Sequence, residues 1–254
     1  MRAPLRAAIA ALAPLAVPAA CGDDEESGSA GDITVFAAAS LTEAFTEIGE
    51  AFTDENPDVT VTFNFSASSD LVTQINEGAP ADVFASADQN NMAKLTDAGN
   101  NGSEPEIFTT NRLQIIVAPR NPLGITGVED LADPDLIVLT CAVEVPCGTY
   151  AAEIFTNARV AVTPDSFEEN VRAVANKVTL GEADAGIVYA TDVEAAGDDA
   201  DGVEIPEDIN VRAEYPIAVT VEAPNPDGAD AFIDFVLSNA GQEILLSSGF
   251  AELP

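Results

Sequence analysis

The chain has 254 residues, with 9 Lys and Arg against 44 Asp and Glu, a formal charge of −35 and no histidine. That balance excludes the basic footprint of a nucleic-acid binder and disfavours attraction to an anionic membrane face. The lack of His excludes a Ser-His-Asp triad, an imidazole base and a His-ligated zinc. Its hydrophobic share of 47% is ordinary for a globular protein, and the length suits one large domain or two lobes.

Residues 1–20 read as an export signal. Arg2 and Arg6 precede the apolar run Ala7–Ala20, which Pro14 and Pro18 break and which is too short to span a membrane stably. The small residues run into Cys21, as Ala19-Ala20-Cys21-Gly22, which looks like a bacterial lipobox with Pro18 where Leu or Val is usual. Cys21 is then the expected lipidation site and residues 21–31 a flexible acidic tether. Removing Arg2 and Arg6 with the signal takes the formal charge from −35 to −37. Such a surface resists aggregation and suits an exported protein of a salt-loving organism.

Ile33–Phe36 is a short apolar strand, followed by the small-residue turn 37–40. Leu41, Ala44, Phe45, Ile48 and Phe52 recur at three and four residues and predict a helix, with Ser40 and Glu43 as its capping box. Val59, Val61, Phe63 and Phe65 alternate as a half-buried strand. Residues 66–69 turn the chain into a helix with Leu71, Val72 and Ile75 inside and Gly78 as its stop. Val83–Ala85 is a third strand, and a helix follows around Asn90–Ala98. Leu113–Ala118 is an apolar strand, with a crossing to a second lobe near Asn111. A short helix near Val128–Ala132 and the strand Leu136–Thr140 come next. Pro146-Cys147-Gly148-Thr149 opens a helix, and another is predicted over Phe167–Leu180. The strands Ile187–Tyr189 and Val203–Ile205, a returning strand Tyr215–Val221, and the helices Ala229–Leu237 and Gly241–Ser247 complete the chain.

This alternation predicts an α/β fold of two lobes, each a mostly parallel sheet flanked by helices, with a ligand cleft between them. Residues 32–111 with 215–254 would form the first lobe, and 112–214 the second. Cys141 and Cys147 are expected to pair as a disulfide outside the cytoplasm; a free thiol or a metal site is the alternative. Three turns, Ala39-Ser40, Ser68-Ser69 and Cys147-Gly148, present helix starts whose unpaired N–H groups suit an anion. By default Ser40, Ser68 and Ser69 would be simple caps, and Val171 and Tyr189 core residues. Asp82, Asp88 and Asp184 are the carboxylates an exported enzyme would use for acid–base work. A surface interaction module built on the acidic face is a further alternative.

The segments ITVFAAASL (33–41), FSASSDL (65–71), EGAPADVFASAD (77–88), EVPCGTYA (144–151), ENVRA (169–173), GIVYATD (186–192) and EYPIAV (214–219) together resemble the periplasmic molybdate-binding proteins of ABC importers. The resemblance runs in the family's order over nearly all of 32–254. It implies the two-lobed type II solute-binding fold and a non-enzymatic, monomeric receptor, exported and held at the membrane only through a lipid anchor or free in the periplasm. The receptor would deliver molybdate or tungstate to an ABC permease, with no nucleic acid and no cofactor. Carried over by position, Ser40 and Ser68 would each give a hydroxyl and an N–H, Cys147 and Val171 their backbone N–H groups, and Tyr189 its hydroxyl; no side chain would ligate the metal itself. Cys147 departs from the family's usual Ala. The same donors would also suit sulfate, whereas phosphate usually carries a proton and calls for an acceptor. A small organic acid is the remaining alternative ligand.

Overall fold

A computed structural model of the chain describes residues 31–251. The expected signal 1–20, the lipidation site Cys21 and the tether up to residue 30 lie outside the described residues. In order, the chain forms β1 (Ile33–Ala38), a 3-10 turn (Ala39–Leu41), α1 (Thr42–Glu55), β2 (Val61–Ser66), α2 (Ser68–Asn76), β3 (Val83–Ala85), α3 (Gln89–Asp97) and β4 (Glu106–Val117). A 3-10 turn at Val128–Ala132 leads to β5 (Val138–Cys141), α4 (Pro146–Ala158), β6 (Ser166–Glu168), α5 (Val171–Thr179), β7 (Ala185–Tyr189) and α6 (Ala190–Ala196). A 3-10 turn at Gly197–Asp199, then β8 (Asp201–Glu204), β9 (Arg212–Val219), α7 (Pro226–Leu237) and α8 (Asn239–Ser247), finish it.

The sheet order is β2-β1-β3-β9-β4-β7-β5-β6, with β8 on β4. β1 is parallel to β2 and β3, and β5 is parallel to β6 and β7, as βαβ connections require. β9 and β4 are antiparallel insertions that join these two parallel units. β4 does so within one strand: residues 106–112 pair with β9, and 113–117 pair with β7 and β8. The two-lobed type II architecture follows from this sharing of two strands.

Alternation along the strands shows both faces covered. On β1, β3 and β9, the side chains of Val35, Ala37, Val83, Ala85, Ile217 and Val219 join the large core. Phe36, Phe84 and Ala218, pointing the other way, pack with Leu71, Val72 and Ile75 of α2 and Met92 and Leu95 of α3. The last two helices close the large core: Phe232 of α7 sits edge-on to Phe45 and Phe52 of α1 at 6.0 and 5.5 Å.

Three local expectations are corrected. Ser40 does not cap α1: it lies inside the 3-10 turn, α1 starts at Thr42, and its N-cap Leu41 makes no side-chain cap bond. The Ser40 hydroxyl bonds Tyr215 instead, and Glu43 pairs with Arg172. Ser68 and Ser69 are not caps either, since α2 is preceded by Ala67. The helix predicted over 167–180 starts only at Val171, because Phe167 belongs to β6, paired with Thr140 of β5, and the side chain of Asn170 accepts the Ala173 N–H at 3.0 Å and opens the helix there. Helix α6, directly after Tyr189, was not anticipated.

Candidate functional site

A small cavity lies where the C-terminal ends of β1, β2 and β7 face the starts of α2, α4 and α5. It is lined by residues 38–40, 66–68, Ala87, 145–147, Asn170, Val171 and Tyr189. Ser40, Ser68, Cys147, Val171 and Tyr189 therefore share one wall-to-wall space, although up to 149 positions separate them in the chain. The space is about 210 Å³ counting its open mouth. No lining residue is charged.

The donors come from chain geometry. In α2 the first helical rung is the Asp70 N–H to the Ala67 carbonyl, at 3.0 Å, so the Ser68 N–H precedes the ladder. In α4 the first is the Gly148 N–H to the Val145 carbonyl, at 2.9 Å, and the Cys147 N–H precedes it. Pro146, at the first position of α4, brings a fixed φ and no N–H that needs a partner. Gly148 is required beside it, since a Cβ there would collide with the Ala142 and Cys141 carbonyls. A disulfide between Cys141 and Cys147, Cα to Cα 5.7 Å, ties the end of β5 to this helix start. In α5 the Asn170 cap takes the Ala173 N–H and leaves the Val171 N–H ahead of the ladder.

The hydroxyls are held from behind. Ser68 Oγ accepts the Ala87 N–H at 3.0 Å, so its own hydrogen is free to donate. Ser40 Oγ lies 2.9 Å from the Tyr215 hydroxyl. Tyr189 is 1% exposed, and its hydroxyl has no hydrogen-bond partner in the protein. Among the described residues only the Ser69 hydroxyl shares that condition. Burial pushes the Tyr189 phenol well above its ordinary value, with Tyr215 and Tyr150 adding to the effect, so it is a neutral donor at physiological pH. The backbone of Tyr189 is fixed by its N–H to Asp192 Oδ2 at 3.0 Å. Burial raises the Asp192 carboxyl to about 7, against the lowering by that same bond and by Arg172.

All three tyrosines of the chain meet here, Tyr150 edge-on to Tyr189 at 6.5 Å and Tyr189 edge-on to Tyr215 at 5.8 Å. Among the described residues two polar contacts join the parallel units: the ion pair from Arg172 of α5 to Glu43 of α1, at 2.6 Å, and the Tyr150 hydroxyl to the Ala87 carbonyl, at 3.4 Å. Sequence reasoning did not single out Asn170 or Tyr215. Asn170 carried a usable signal, an Asn directly before an apolar helical run. Tyr215 carried none, because its contact spans 175 positions.

The three acids weighed for catalysis lie elsewhere and accept backbone bonds. Asp82 takes the N–H groups of Thr34 and Asn225 at 2.7 and 2.6 Å, Asp88 caps α3 through Asn91, and Asp184 takes the Ile137 N–H at 2.7 Å. Among the described residues no cluster of acids and cysteines could hold a metal ion, and no helix is long and apolar enough to cross a membrane.

The family described as bacterial extracellular solute-binding protein matches residues 33–251. The molybdate-binding protein ModA of Mycobacterium tuberculosis (strain ATCC 25618 / H37Rv) is 42% identical over 240 residues, 92% of each chain. Among solved structures, the sulfate-binding protein SubI of Mycobacterium tuberculosis H37Rv superposes with a TM-score of 0.79 at 20% identity, over 87% of this chain and 86% of its own. The periplasmic molybdate-binding protein of Azotobacter vinelandii does so at 0.75 and 17%, over 87% of this chain and all of its own. At those identities the likeness is one of fold.

Proposed function

The chain belongs to the bacterial extracellular solute-binding proteins, and from that premise we propose that it captures molybdate or tungstate and delivers it to the permease of an ABC importer. The observation that carries this reading is the buried Tyr189 hydroxyl, a donor without a protein partner on the wall of a small uncharged cavity. A buried polar group left unpaired costs ~1–3 kcal/mol, so its retention points to a ligand that accepts from it. The relatives named for molybdate support the choice of anion.

The binding follows from donor chemistry. A dianion leaving water loses hydration worth several kcal/mol or more. Hydrogen bonds to a charged group return ~1.5–3 kcal/mol each. The Ser40 and Ser68 hydroxyls and amides, the Cys147 and Val171 amides and the Tyr189 hydroxyl would together offset that loss. The starts of α2, α4 and α5 add favourable potential. A donor-only shell suits an oxyanion with no proton at neutral pH, and neither an arginine, a lysine nor a resident cofactor is needed. In this reading residues 32–111 with 215–254 form one lobe and 112–214 the other. The anion is shared between them, and closure gives the form that docks on the permease. Export would follow from residues 1–20, with acylation at Cys21 as the membrane anchor of a monomeric receptor.

Isothermal titration with molybdate, tungstate, sulfate and phosphate tests this. Micromolar or tighter binding of the first two is expected, with sulfate far weaker and phosphate weaker still. Sulfate affinity equal to that of molybdate would move the assignment to sulfate, and absence of molybdate binding would overturn it.

A further inference from the structure

The Ser40 hydroxyl has a single hydrogen, and whether it reaches a bound anion depends on what stands behind it. Tyr215 is 0% exposed, and its hydroxyl lies 2.9 Å from Ser40 Oγ. A phenol is more acidic than an aliphatic hydroxyl, which makes Tyr215 the better donor of this pair. The Tyr215 hydrogen is therefore directed at Ser40 Oγ as its acceptor. Ser40, accepting from Tyr215, keeps its own hydrogen for the cavity that it lines. The arrangement parallels Ser68, whose oxygen is occupied by the Ala87 N–H.

We propose that Tyr215 is a positioning residue for anion binding: by donating to Ser40 Oγ, it fixes the Ser40 hydroxyl as a donor to the ligand. This rests on the reading of the cavity as an oxyanion site. Burial holds the Tyr215 phenol well above its ordinary value, so it keeps its hydrogen across physiological pH. Without Tyr215 the Ser40 hydroxyl is free to rotate, and part of the donor's preorganisation is lost.

A double-mutant cycle on molybdate affinity, by isothermal titration, separates this role from general damage. Tyr215→Phe should weaken molybdate binding about fivefold to tenfold, the worth of roughly one hydrogen bond. Ser40→Ala/Tyr215→Phe should bind within about twofold of Ser40→Ala alone, because Tyr215 acts through that hydroxyl. Tyr215→Leu, which also withdraws the hydroxyl, should likewise weaken binding only when Ser40 is present, and serves if Tyr215→Phe does not fold. Wild-type affinity in Tyr215→Phe, or equal losses from it in the presence and absence of the Ser40 hydroxyl, would overturn the proposal. A wild-type chain that does not bind molybdate, or a Ser40→Ala variant that binds as wild type, would overturn the functional reading instead.

Discussion

Replacing Tyr189 by Phe should move stability and affinity in opposite directions. The ring stays in its edge-on contacts with Tyr150 and Tyr215. The hydroxyl that is removed makes no hydrogen bond within the protein. The ligand-free variant therefore loses no internal bond and sheds a polar group that costs ~1–3 kcal/mol when buried unpaired, so its stability should be unchanged or higher. The ligand loses one bond to a charged acceptor, worth ~1.5–3 kcal/mol, or about 10- to 150-fold in Kd. Urea unfolding of the ligand-free protein and calorimetric titration of molybdate measure the two sides. Tyr215→Phe is the internal contrast, because its hydroxyl does bond Ser40 and its loss should cost the ligand-free protein ~1 kcal/mol. A ligand-free Tyr189→Phe protein that is destabilised like Tyr215→Phe, or one that binds molybdate as well as wild type, would refute the reasoning.

Asp192 makes stability fall as pH rises. Its folded carboxyl titrates near 7 against an ordinary 3.8, so below about pH 4 both states are protonated and its favourable contribution is fully present. Between about 4 and 7 the unfolded chain ionises first and that contribution, up to ~4 kcal/mol, is lost. The melting temperature of Asp192→Asn minus that of wild type should accordingly climb from pH 4 to 7 and level off above, and a difference independent of pH would contradict this. The disulfide closes a loop with a sequence separation of 6, so Cys141→Ala/Cys147→Ala should lose ~2 kcal/mol in urea unfolding; equal stability would show that the crosslink constrains little. With a formal charge of −35, the chain repels its own ligand at long range. The molybdate association rate by stopped-flow fluorescence should rise between about 0.01 and 0.15 M salt, as the screening length falls from ~30 to ~8 Å. A rate that falls with salt would mean that a local attraction outweighs the net charge.

The alternating strands and helices were legible because both faces of the sheets are covered, which makes β1, β3, β5 and β7 short apolar runs between amphipathic helices. Legibility failed where local pattern and pairing compete. Phe167 has the spacing of a helical residue, yet β6 takes it as a partner for Thr140, and no property of residues 166–170 alone announces that ladder. Ser40 and Glu43 satisfy the capping-box pattern, but each is drawn to a distant partner, Tyr215 and Arg172, that no local rule can see. The apolar pattern marks β4 only from Leu113, because its earlier residues, Glu106–Arg112, are mostly polar. They hold their strand through pairing with β9.

The candidate site divides in the same way. Helix starts can be read from a sequence, because small residues, a Pro at the first turn and a following apolar period mark where N–H groups are left over. That is how Ser68 and Cys147 were reached from the residues, while Val171 came only through resemblance, its helix start being hidden inside a longer predicted helix. The direction of a hydroxyl is not local in this sense. Ser68 is a donor because Ala87, 19 positions on, occupies its oxygen, and Ser40 becomes one because Tyr215, 175 positions on, does the same. A site that selects its guest by offering hydrogens and no acceptors is thus specified twice. Short-range spacing brings the donors to the cavity, and long-range packing decides which way each hydrogen points. Only the first of these is written where a single segment can be read, and a substitution at Tyr215, outside the cavity lining, is where the second should become visible.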